Sequence, residues 1–208
     1  MPSTTVYLAS KNAGKRAELE AIFGDYGWVA VGFPGYRDVV EGDASYAENA
    51  ALKARGLRAD LAADGIVAAV VGDDSGLEVA ALGGRPGIRS ARYGGDASWA
   101  RRRAMLLDEL AAAAPTSRDA RFVCALHYIA ANGRECAVEA HLDGTLVERE
   151  RGEGGFSYDA IFREHDETRT FAELSEAEKN ARSHRARAIA RLVEAVGAID
   201  AKSARNGT

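Results

Sequence analysis

Residues Ile66 to Leu77 constrain this chain more than any other stretch; they read Ile-Val-Ala-Ala-Val-Val-Gly-Asp-Asp-Ser-Gly-Leu. The run from Ile66 to Val71 is apolar without a break and rich in β-branched residues, the pattern of a fully buried strand bounded by a turn signal. Asp73 and Asp74 are then expected at the carboxyl end of a central strand, where α/β sheets place their ligands. Two adjacent acids with no neighbouring base repel each other in an apolar setting. A hard, oxygen-ligated cation such as Mg²⁺ removes that repulsion. The plain alternative is a solvated Asp-Asp-Ser-Gly turn without chemistry.

At 208 residues the chain is long enough for a full core in one domain with room for two lobes. A net charge of -4 argues against a surface that coats nucleic acid, while leaving room for a local basic pocket. Cys124 and Cys136 form no close metal-type pair and suit a reducing compartment. Met1 to Thr5 lacks the basic start of a secretory signal, and no apolar run reaches the roughly 18–20 residues of a membrane span. The expectation is a soluble, cytoplasmic protein with neither a nucleic acid nor a membrane as partner.

Val6 to Ala9 reads as a first strand, and Leu19, Ile22, Phe23 and Tyr26 recur at helical spacing, so a helix is expected from near Ala13. Between them, Ser10, Lys11, Asn12, Ala13, Gly14 and Lys15 resemble a phosphate cradle at a helix N-terminus. The loop is no Walker A motif, because Ala9 stands at the first glycine position and Arg16 at the Ser/Thr position. Asn12 also reads simply as an N-cap. Trp28 to Phe33 is a second strand. The acidic loop Glu41-Gly42-Asp43 follows, and Ser45 to Glu48 has the spacing of a capping box opening a helix to about Ala63. Lys53 lies on that helix, where a surface lysine is the plain reading.

The stretch from Gly83 to Gly95 is dense in glycine and arginine, as in a tightly shaped loop. Ser98 is expected to cap a helix that stops before Pro115. Arg121–Ala130 and Arg134–Leu146 alternate as strands joined by Asn132-Gly133, a two-residue hairpin signal. Downstream, Gly152 to Phe162 carries Phe156, Ser157, Tyr158 and Asp159; the aromatics suit either a planar ligand or the core. Thr170–Glu173 and Ser175–Glu178 have capping-box spacing, Lys179 follows, and His184-Arg185 opens a final amphipathic helix. Residues 1–197 are read as the domain and residues 198–208 as a flexible tail, with no internal repeat.

In order along the chain stand Ala9-Ser10-Lys11-Asn12 with Lys15 and Glu18, Glu48-Asn49-Ala50 with Lys53-Ala54, and Asp73-Asp74-Ser75-Gly76-Leu77. They are followed by Gly84 to Tyr93, Gly154-Gly155-Phe156 with Tyr158-Asp159, and Glu178-Lys179-Asn180 with Ser183-His184-Arg185. In this order the chain resembles the inosine triphosphate pyrophosphatase family. The resemblance implies an α/β fold with a long twisted mixed β-sheet flanked by helices, two lobes and a central cleft, in a homodimer. It further implies Mg²⁺-dependent hydrolysis of ITP, dITP and XTP to the monophosphate and pyrophosphate, which cleanses the nucleotide pool. By position, Ser10 to Lys15 would cradle the triphosphate and Lys53 would add charge. Asp74 would be general base and metal ligand, with Glu41 as partner ligand and Asp73 in support. Ser75, Phe156, Ser157, Tyr158, Asp159, Lys179, His184 and Arg185 would contact the nucleotide.

The chemistry is consistent with those roles. A triphosphate carries about four negative charges, which Lys15, Lys53, Lys179 and Arg185 would meet. Donors from His184 or Arg185 and the amides near Phe156 would match the six-keto edge of hypoxanthine or xanthine and be left unpaired against adenine. Two departures stand out: Ser157 occupies a place where the family usually has glycine, and Ala160 one where it has proline. The acidic loop also shifts its glycine by one step, leaving Glu41 and Asp43 as alternatives for the metal. A related septum-inhibitor type of pyrophosphatase lacks a counterpart of Ser183-His184-Arg185. A non-catalytic purine-nucleotide sensor would have less need of the acids.

Overall fold

The computed structural model describes residues 4–206, apart from the side chains of residues 200 and 202–206. In chain order the elements are β1 (Thr4–Ala9), α1 (Ala13–Asp25), β2 (Trp28–Gly32), α2 (Tyr46–Ala63), β3 (Ala69–Val79) and β4 (Pro86–Gly87). They continue with α3 (Trp99–Ala112), β5 (Asp119–Ile129), β6 (Glu135–Leu146), β7 (Phe162–Glu164), α4 (Glu176–Asn180) and α5 (His184–Asn206). Seven strands form one mixed sheet in the order β2-β1-β3-β5-β6-β7, with β4 on β3. β1 pairs in parallel with both β2 and β3, whereas β3–β4 and β6–β7 are antiparallel. The expected mixed α/β sheet flanked by helices is therefore present.

Local chemistry explains the helix starts. Asn12, Ser45 and Ser98 each accept a backbone N–H three residues on, satisfying one of the unpaired donors of α1, α2 and α3. Thr170 and Ser175 form reciprocal capping boxes with Glu173 and Glu178, as their spacing predicts. The hairpin between β5 and β6 differs from the expected two-residue turn. Ala130 N donates to Arg134 O at 2.8 Å and Gly133 N to Ala130 O at 2.9 Å, closing a three-residue loop. Gly133, at φ 89°, supplies the left-handed residue that such a loop needs. Helical backbone in α5 also continues to Asn206, past the Ala198 at which a tail is expected.

The largest revision concerns β3. The sequence reading starts this strand at Ile66 and puts Asp73 and Asp74 at its carboxyl end, but it begins at Ala69 and runs through both aspartates to Val79. Polar residues inside a strand mimic a turn when their partners are far away in sequence, and here those partners are lysines on α1 and α2. The ligand-side position survives in altered form, because parallel pairing of β1 with β3 ends at Ala9↔Gly72, immediately before Asp73. At that last pair, α2 lies directly on the strand. A Cβ at Gly72 would stand 2.0 Å from Ala50 O and 2.7 Å from Ala54 N, both backbone atoms. We expect Gly72→Ala to push α2 off β3 and destabilise the fold by about 1–3 kcal/mol or more, read by denaturant unfolding.

The chain divides into two compact units. The first comprises the chain up to Asp74, Cys124–Ala140 and the chain from Arg185 on. Its core packs Val6, Leu8, Leu19, Phe23, Val71, Leu126, Ile189 and Leu192, with Phe23 stacked on Trp28 at 5.5 Å. A further cluster, Ala54, Leu57, Leu61 and Val70, seats α2 on the sheet. The second comprises Ser75–Val123 and His141–His184, around Leu77, Val79, Leu106, Leu110, Leu142, Phe162 and Phe171. Burying each such side chain contributes about 1.5–3 kcal/mol.

Candidate functional site

The first unit gathers Glu41, Asp73, Asp74, Lys15 and Lys53, whereas Lys179, read from sequence as a triphosphate cation, lies in the second unit. Asp73 is 2% exposed and Asp74 4%, so neither is a solvated turn residue. Lys15, one turn into α1, places Nζ 2.7 Å from Asp73 Oδ2. Lys53, from the middle of α2, donates to Asp74 Oδ1 at 2.8 Å and to Asp73 O at 3.1 Å. The same ammonium lies 2.6 Å from Glu41 Oε1, so a single lysine holds the loop acid beside the strand acid. That contact favours Glu41 over Asp43 as the companion of Asp74.

The charges follow from this crowding. Burial by itself would raise the Asp73 carboxyl, but Lys15 and Arg185 hold it well below the usual carboxylate range. Burial pushes the Asp74 carboxyl above its ordinary value against the pull of Lys53. Burial also works against the Lys53 charge, yet Asp74 and the other acids outweigh it and raise its pKa. Several carboxylates share one ammonium, and Lys53 stays charged.

Sequence reasoning assigned no role to three residues that complete this cluster. Asn49, fully buried on α2 one turn before Lys53, donates to Asp74 Oδ2 at 3.1 Å and to Gly42 O at 3.2 Å, and accepts from Gly42 N at 2.8 Å. Glu18 binds Arg185 Nη1 at 3.0 Å, holding that guanidinium with its Nε 3.9 Å from Asp73 Oδ1. The Cys124 thiol, pushed up by burial and by Asp73, donates to Asp73 Oδ1 at 3.3 Å. For Asn49 a signal existed, since a poor helix former inside an alanine-rich helix, four residues before a lysine, is out of place unless it is bonded.

In the loop from β1 to α1, Ser10 Oγ accepts from Asn12 N at 3.2 Å and Asn12 Oδ1 from Lys15 N at 3.1 Å. Lys11, Asn12 and Ala13 are exposed while Ser10, Gly14 and Lys15 are half-buried, leaving the helix N-terminus accessible. Ser75 follows Asp74 within β3 and opens the second unit.

The second unit gathers Phe156, Ser157, Asp159, Lys179 and His184. Asp159 Oδ2 accepts from Lys179 Nζ at 2.7 Å and from Phe156 N at 2.8 Å, so this carboxylate shapes the turn. Its oxygen would lie 2.3 Å from a Cβ at Gly155, which only glycine tolerates. Lys179 Nζ sits 4.6 Å from the half-exposed Phe156 ring, a cation–π contact. Tyr158 is a core residue, 1% exposed, edge-on to Trp99 and donating to Ser90 O at 3.0 Å. Of the two aromatics, Phe156 alone is partly exposed. His184, buried, stacks on Phe122 at 4.6 Å.

Ser157 adopts φ 59°, the left-handed region, with its carbonyl held by Arg103 Nη1 at 2.8 Å. Glycine is the residue that such a backbone favours. We expect Ser157→Gly to stabilise the chain by about 1 kcal/mol, raising Tm by about 2–4 °C in calorimetry for a chain of this size.

A dITP/XTP pyrophosphatase of Geobacillus kaustophilus is 46% identical over 194 residues, covering 91% of this chain and 92% of its own. One from Streptomyces avermitilis is 44% identical over 199 residues, covering 93% and 97%. Among solved structures, a HAM1 protein from Coxiella burnetii superposes with a TM-score of 0.81 at 33% identity, covering 93% of this chain and 98% of that one. The model of the Ham1 family matches residues 6–195, and the chain belongs to that family.

Proposed function

We propose that this protein is a nucleoside-triphosphate pyrophosphatase that hydrolyses ITP, dITP and XTP to the monophosphate and pyrophosphate, acting as a cytoplasmic homodimer. The observation that carries the reading is Asp74, buried and sharing Lys53 with Glu41 beside the Asp73–Lys15 pair. Membership of a family whose relatives are named dITP/XTP pyrophosphatase supports the substrate class.

Mg²⁺ fits the donors present. Asp74 and Glu41 offer hard carboxylate oxygens of the kind Mg²⁺ takes; it binds through one or two carboxylates and completes its shell with phosphate oxygens and water. Bound by Asp74 and Glu41, the ion would neutralise charge on the polyphosphate and lower the pKa of a bound water.

The chain's own residues account for the remaining steps. Lys15 and the amides of the β1–α1 loop bind the polyphosphate tail, with Lys53 adding charge. Asp74 takes the proton of the water whose oxygen bonds to the α-phosphorus, as the α–β bridging bond breaks and pyrophosphate leaves. Phe156 stacks on the purine. The Ser157 and Tyr158 amides, with His184 and Lys179, donate to its keto edge, and adenine leaves such donors unpaired.

The test is a panel of nucleoside triphosphates with Mg²⁺, measuring pyrophosphate and orthophosphate separately. Pyrophosphate from ITP, dITP and XTP, with ATP slower by at least about 100-fold, is expected. Orthophosphate with a diphosphate product overturns the cleavage position. Undiminished activity in EDTA overturns the metal, and a monomer by sedimentation overturns the dimer.

A further inference from the structure

A second basic feature lies wholly within the second unit and uses none of the residues assigned above. Arg118, Arg149, Arg151 and Arg163, with Thr145 and Thr168, line a cavity of about 590 Å³ whose sole acidic lining residue is Glu148. Four guanidinium groups thus face one carboxylate in its lining.

What these arginines bond to sets them apart from ordinary surface ion pairs. Arg118 donates through Nε to Leu146 O at 2.8 Å and through Nη2 to Val147 O at 2.9 Å. Arg163 donates to Glu167 O at 2.9 Å, and Arg151 to Thr168 O at 2.7 Å. All these acceptors are neutral carbonyls. They orient the guanidinium forks without cancelling their charge. Only Arg151 approaches a carboxylate within ion-pair distance among the described residues, Glu173 at 3.6 Å. Arg118 and Arg163 are also half-buried, which removes part of the water that would otherwise solvate them.

We propose that this cavity is a binding site for a small polyphosphate anion, in which Arg118, Arg149, Arg151 and Arg163 converge on the phosphoryl oxygens. Oriented planar forks match phosphoryl oxygens bidentately. A monoanion would answer one of the four cations, whereas a di- or triphosphate chain answers several at once. The threonines beside them supply hydroxyl donors of the kind that phosphate oxygens accept. The site is independent of the hydrolytic reading, since it shares no side chain with it.

The experiment is calorimetric titration of the full-length protein with inorganic tripolyphosphate, in EDTA and at low ionic strength. The wild type is expected to bind more than one equivalent per chain. Arg149→Gln/Arg163→Gln is expected to lose one equivalent or weaken it at least tenfold, while hydrolysing ITP within about twofold of wild type. Arg149→Gln alone changes an exposed residue and keeps the fold, so it guards against a misfolded double variant; a several-fold weakening of the same equivalent is expected. Wild-type titration curves in both variants would overturn the site, as would loss of every equivalent on Lys15→Gln. Orthophosphate binding as tightly as tripolyphosphate would overturn the multivalent anion.

Discussion

Lys53→Met is expected to lower the unfolding free energy by about 3–5 kcal/mol, the largest stability loss of any single substitution proposed. Its ammonium is 2.8 Å from Asp74, 2.6 Å from Glu41 and 3.1 Å from the Asp73 carbonyl, with the side chain 8% exposed. Methionine fills a similar volume, so the loss is electrostatic: a buried carboxylate keeps its desolvation and loses its counter-ion. The expected fall in Tm is about 10 °C, at roughly 2–4 °C per kcal/mol. The double variant Lys53→Met/Asp74→Asn should recover part of this loss, because removing both charges relieves the unpaired one. Chemical denaturation of the four proteins in that cycle measures the coupling. A double variant no more stable than Lys53→Met would mean that the lysine acts through packing alone.

Asp74→Asn is expected to cost turnover instead of stability, reducing kcat on ITP by about 10²–10⁴ while nucleotide still binds. The amide keeps an acceptor for Lys53 but cannot take a proton from water. It also sets an NH₂ group where Asn49 now donates to Asp74 Oδ2 at 3.1 Å, which loosens the turn at Gly42 only locally. Since burial raises the Asp74 carboxyl, the wild-type rate should fall as pH drops through a value above the ordinary aspartate pKa of about 3.9. A pH–rate profile alongside calorimetric binding of ITP separates the two effects. Full turnover in the variant would take Asp74 out of the proton-transfer step.

Local chemistry was the legible part of this chain. Asn12 and Ser45 announce their helices by side chains that need only the next three residues, and Thr170 and Ser175 do the same for shorter turns. The order of acidic, basic and glycine-rich blocks pointed to the family before any contact was visible. Long-range partnership stayed hidden. Asp73 meets a lysine 58 positions away, and Glu18 an arginine 167 positions away, so composition around either acid says nothing about its neutralisation. The same blindness cut β3 short, because an aspartate pair looks like solvent until its cations are known. Tyr158 and Phe156, equivalent as a pattern, parted only when packing put one in the core and left the other half-exposed.

The Asn49 carboxamide grips both backbone groups of Gly42 and one oxygen of Asp74 at once. Its orientation admits no flip, since turning it over would oppose like groups at both ends. The loop that carries Glu41 is therefore latched to the strand in advance. A Mg²⁺ arriving with the nucleotide, as proposed, would find its two carboxylates already spaced, and little binding affinity would be drained by ordering them.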